Sequence, residues 1–179
     1  MPATRAHLGK HFYLALFAIG IASFAVHEFA HWIVGVSLGH TMQASLNHVW
    51  PLDEVSSAHQ MLISAAGPAI TMILGIGGFV LVQTRASLAG FAVLYMAFFS
   101  RLLAAAVSIL NPNDEARISV QLGLGLWTVP VIVVLVLFVL TYLASVRLKL
   151  SFRNQLYCYA TASVTVTAVV VADRLLLAS

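Results

Sequence analysis

Charge is what this sequence most lacks. Lys, Arg, Asp and Glu supply 8% of its 179 residues, where a soluble domain carries roughly 25%. With 61% of residues apolar and a mean hydropathy of +0.97, the chain has too little polar surface to face water, so a lipid bilayer must be its solvent. Cysteine is nearly absent as well. The lone Cys158 excludes an intrachain disulfide framework and, in an apolar stretch, reads as packing. The net charge of +3 comes from scattered basic residues without a cluster, so no nucleic-acid partner is expected. No low-complexity tract or long linker interrupts the chain, and residues 1–179 read as a single integral membrane domain.

Long apolar runs take the place of charge. Windows of about 20 apolar residues mark spanning helices, and they fall at about 12–38, 61–83, 87–110, 126–146 and 155–177. The expected fold is an all-α membrane protein, a polytopic bundle of about five transmembrane helices, in a multi-pass arrangement in the cell membrane. The first run follows a basic start (Arg5, Lys10) as a signal peptide does, but it far exceeds an h-region of about 7–15 residues and is expected to be retained. The fifth run is rich in hydroxyls (Thr161, Ser163, Thr165, Thr167) and also suits an edge helix. Residues 39–60 and 111–125 form two longer polar connections, which share one face of the membrane. With a cytoplasmic N-terminus, Arg5, Lys10, Arg85, Arg147, Lys149 and Arg153 lie inside and only Arg117 and Arg174 outside. The positive-inside rule favours that orientation and puts both connections on the outer side.

The scarcity of acids makes the first run informative. Glu28 is the only acid before Asp53 and stands in His27-Glu28-Phe29-Ala30-His31. A carboxylate between imidazoles at membrane depth is costly, and so marks a functional site. Residues four apart share a helix face, so both histidines can grip one metal ion. Glu28 is placed to take a proton from an activated water. The bland alternative is a chance pattern of two satisfied buried histidines.

A catalytic zinc usually takes three protein ligands, and six acids make the search for the third short. Asp114 follows the Asn111-Pro112 break at the end of the third run, on the side the motif faces, and is the first choice. Glu115 is the reserve. Asp114 could instead cap a short helix beginning at Glu115. Asp53-Glu54 reads as a solvated turn, and Asp173 lies at the far end of the last run. Arg101 is intramembrane and must pair with a site carboxylate or snorkel to a surface. His40, His48 and His59 read as loop residues, and Gly75, Gly77 and Gly78 as close-packing positions.

HExxH in an early transmembrane helix, then Ala66-Gly67-Pro68 in the next, then an Asn-Pro…Asp cluster ending a third together resemble the site-2 protease family of intramembrane zinc metalloproteases. The likeness covers about residues 24–121. It implies a three-helix metalloprotease core over about 12–121, with two additional transmembrane helices over about 126–177. By the resemblance, His27, His31 and Asp114 are zinc ligands, Glu28 is the catalytic glutamate, Asn111 is the family's asparagine, and Gly67 and Pro68 line the site. The chain departs from the pattern in three places. Its third element is compressed to Asn111-Pro112-Asn113-Asp114, Glu115 stands where the family has glycine, and Thr71 stands where many members have asparagine. No PDZ or CBS domain is inserted in these residues. The implied activity is hydrolysis of a peptide bond in or near a transmembrane segment of a membrane-protein substrate. The alternative is a non-catalytic membrane scaffold or chaperone on the same helices.

Overall fold

The computed structural model describes residues 8–177, and Arg5 of the basic start lies outside them. Among these residues the elements in chain order are α1 (Lys10–Ser37), β1 (Met42–Ala44), β2 (Val49–Pro51), α2 (Ser57–Arg85), α3 (Leu88–Val107), α4 (Asp114–Gln121), α5 (Thr128–Arg147) and α6 (Phe152–Leu177). All the helices except α4 are long and apolar enough to cross a membrane. The chain is an all-α polytopic bundle. The 26 residues of α6 rise roughly 39 Å at ~1.5 Å each, more than the ~30 Å hydrocarbon core, so the hydroxyl-rich fifth run is long enough to span fully.

Local sequence sets the helix ends. α1 stops at Gly39, whose φ of +89° suits glycine. There the His40 N–H turns back to donate to the Gly35 carbonyl at 3.1 Å, a Schellman-type close. Ser56, Ser87 and Asn113 cap α2, α3 and α4 by accepting from the N–H groups of His59, Gly90 and Ala116. Each satisfies a donor that the first helical turn leaves without a partner.

The centre of the bundle is α3, apolar over most of its surface, with Phe91, Leu94, Met96 and Phe99 fully buried among α1, α2, α5 and α6. α2 crosses it backbone to backbone. A Cβ on Gly78 would sit 2.5 Å from the Gly90 carbonyl oxygen, and one on Gly90 would sit 2.8 Å from that of Gly78. Only glycine permits so close a crossing, a common device between membrane helices. Gly75 packs tightly too, against Leu137. Gly77 does not: a Cβ there would meet open space, so the expected close-packing role fails at that position.

The two polar connections hold structure that periodicity did not reveal. Residues 111–125 contain the short helix α4. Residues 39–60 contain an antiparallel hairpin that pairs Met42 with Pro51, Gln43 with Trp50 and Ala44 with Val49. Three ties hold it. Met42 fills the space that Gly35 leaves on α1. At the base, the Thr41 N–H donates to Asp53 Oδ1 at 2.9 Å and His40 bridges Asp53 (2.5 Å) and His59 (2.9 Å). At the tip, the Leu46 and Asn47 N–H groups both donate to Asp173 Oδ1 of α6, at 2.8 and 3.2 Å. Asp53 sits exposed in a bend, the solvated turn expected, and also accepts the hydrogen bonds that tie the hairpin base, while Asp173 reaches across to the tip.

Candidate metal centre

His27 and His31 lie one turn apart on α1, both buried, with their Nε2 atoms 3.1 Å apart. Asp114, the first residue of α4, brings Oδ2 to 3.2 Å from His27 Nε2 and 3.3 Å from His31 Nε2. The other ring nitrogens fix what these atoms carry. The Ile63 carbonyl can only accept, so His31 Nδ1 donates to it, at 2.6 Å. The Thr71 hydroxyl donates to the Gly67 carbonyl, so it accepts from His27 Nδ1, at 3.0 Å. In its neutral form each ring then presents a bare Nε2 lone pair. Two such nitrogens and a carboxylate oxygen within 3.1–3.3 Å repel one another unless a positive centre lies among them. Tetrahedral bonds of about 2.0–2.1 Å would set the ligand atoms about 3.3–3.4 Å apart, close to all three observed edges. His27, His31 and Asp114 can hold one metal ion.

Gly67 makes room for this cluster. A Cβ there would lie 2.5–2.6 Å from the His27 ring and would overlap His31 Nε2. Gly67 is thus the seat beneath the two rings. Pro68, expected to line the site, is buried inside α2 and does not border the site's cavity. Its effect is local: without an N–H it leaves the Ser64 carbonyl without a helical donor.

Asp114 and Glu115 part company by one helical step. Asn113, not Asp114, is the N-cap of α4, so the capping alternative for Asp114 does not hold. Successive helical residues point about 100° apart. Asp114 faces α1, with its Oδ1 taken by Arg117, while Glu115 turns into the bundle, 1% exposed. Glu115 meets Arg101 Nη1 at 3.3 Å and accepts from Asn113 Nδ2 at 2.8 Å. The reserve ligand is therefore not in the cluster, and Arg101 is paired rather than snorkelling.

A cavity of about 610 Å3 opens beside the cluster. α1 lines it with Glu28, β2 with Val49 and Pro51, and the approach to α4 with Asn111. Glu28 is half-buried, and no hydrogen bond from the described residues holds its carboxylate. His48 lines the same cavity, stacked on Trp50. Burial and the nearby Arg117 charge lower its pKa. His40 and His59 stay at the hairpin base, away from the cavity. Sequence reasoning missed the groups that orient the ligands: Thr71, the Ile63 carbonyl and Arg117. Thr71 was marked only as a departure from the family pattern, Arg117 was hinted at by its place three residues after Asp114, and nothing pointed to the Ile63 carbonyl.

The chain matches no protein-family model, no curated protein and no solved structure.

Proposed function

We propose that this chain is an intramembrane zinc metalloprotease of the site-2 protease kind, cutting a peptide bond in or near a transmembrane segment of another membrane protein. One observation carries the reading. Two histidines and an aspartate converge at hydrogen-bond range, and an unengaged glutamate from the same helical turn faces a cavity beside them. Zinc suits this donor set of two nitrogens and one oxygen, and when bound it would acidify water and polarise a peptide carbonyl.

The chain's own groups do the rest. Thr71 and the Ile63 carbonyl hold the two imidazoles in the tautomer that leaves Nε2 free. Glu28 has no competing partner among the described residues. It takes a proton from water as the oxygen attacks the peptide carbon, then gives it to the departing nitrogen as the C–N bond breaks. A helical substrate hides its carbonyls and must unwind first. The outer edge of β2 beside the cavity offers backbone groups to an extended segment.

The test uses purified protein in liposomes with a library of tagged single-span reporter helices, and products are read by mass spectrometry. Glu28→Gln is expected to retain its metal and to lower cleavage by about 10²–10⁴-fold. Cleavage by that variant at the wild-type rate would remove Glu28 as the base. A wild-type protein that binds metal yet cuts no reporter would favour the scaffold reading.

A further inference from the structure

We infer that Glu115 is a positioning residue of the metal centre: it holds the Arg101 guanidinium off Asp114, so that Oδ2 stays open to a cation. The inference rests on the metal-binding reading of His27, His31 and Asp114, and on no protease activity.

Arg101 sits in the spanning helix α3 and is 7% exposed. It borders the cavity beside the cluster, and a charge held so deep in a spanning helix settles on a carboxylate. Two stand within reach. Glu115 presents its oxygens at 3.3 and 3.5 Å from Nη1, while Asp114 Oδ2 makes only a longer ion pair with it, at 3.9 Å and outside hydrogen-bond range. Glu115 is anchored for this task by Asn113 Nδ2 at 2.8 Å. Arg101 is also under-satisfied, since its buried Nε has no partner among the described residues. Without the Glu115 charge, the nearest anion for the guanidinium is the oxygen that faces both histidines. Asp114 Oδ1 is already engaged by Arg117. A second guanidinium on Oδ2 would occupy the lone pairs a metal needs and would set a positive charge against it. The acid that follows Asp114 thus has a task created by this chain's own arginine.

The experiment titrates the purified full chain in detergent, stripped with chelator, with Co2+ as the probe, reading affinity from visible absorption. Glu115→Gln is expected to weaken Co2+ binding about 10–100-fold, the range for groups that orient metal ligands. The double variant Arg101→Met/Glu115→Gln removes the competing cation and is expected to bind close to the wild-type affinity. A mere brace between α3 and α4 would not recover in that way. Glu115→Gln at full affinity, or a double variant as weak as the single, overturns the role. Should Glu115→Gln not fold, Glu115→Asp keeps the charge and should bind tightly; a loss as large as 10–100-fold there counts against the role. Failure of the wild-type chain to take up Co2+ is a different result, because it removes the metal centre itself.

Discussion

His31 Nδ1 donates to the carbonyl of Ile63 at 2.6 Å, so a backbone group of α2 decides which nitrogen of an α1 histidine faces the site. Thr71 does the same for His27 at 3.0 Å. The orientation of the two histidines is therefore a property of two packed helices, although both rings belong to one.

Thr71→Val removes the only acceptor shown for His27 Nδ1–H. The ring is freed to rotate or change tautomer, and metal affinity should fall about 10–100-fold, while Thr71→Ser should keep it. Competition of the purified variants against a fluorescent zinc chelator measures the difference, and equal affinities for the valine and serine variants would discount the contact.

Gly67→Ala places a methyl group within 2.6 Å of atoms of both imidazole rings. Backbone must shift to relieve it, at about 1–3 kcal/mol, and the cluster opens. A lower thermal midpoint in detergent and less than one metal per chain by elemental analysis are expected. Full metal content at an unchanged midpoint would mean that α2 can move without cost.

Asp173→Ala strips the acceptor from the Leu46 and Asn47 N–H groups. Hydrogen bonds to a charged group are worth about 1.5–3 kcal/mol each, so the hairpin tip should open more often while the helices stay as they are. Hydrogen exchange should quicken at residues 44–49 and remain slow in α3. Unchanged exchange at the tip would show that Met42 and Asp53 hold the hairpin by themselves.

At the hairpin base, the His40 hydrogen bond lowers the pKa of Asp53. A depressed carboxylate pKa stabilises above its unfolded value, near 3.9, and the effect is lost as pH falls through the lower folded value. The base should therefore hold at neutral and mildly acidic pH and loosen only in strong acid. The carboxyl carbon of Asp53, followed by NMR, should titrate below the free-aspartate range, and Asp53→Asn should abolish the shift. Titration at the ordinary value would contradict the bridge.

The five spanning helices were legible because the bilayer imposes length and hydropathy on each run independently of its neighbours. The hairpin was not. Its strands are three residues each, too short for a period, and it is held by contacts with residues as distant as Asp173. Helix α4 was legible only as an alternative, a short helix beginning at Glu115: its eight residues carry charge in a polar connection and are organised by the Asn113 cap and by burial of Glu115.

Sequence by itself determined that His27 and His31 share a face with Glu28 between them, because helical geometry acts over four residues and needs no other part of the chain. It also narrowed the third ligand to adjacent acids. Tertiary structure alone decided between Asp114 and Glu115, since the choice depends on how α4 is rotated against α1 and α3 and on which carboxylate the buried Arg101 takes. It alone fixed the histidine tautomers, because the acceptors come from α2, more than thirty positions along the chain. Local rules write the first kind of fact, and the packing of distant segments writes the second.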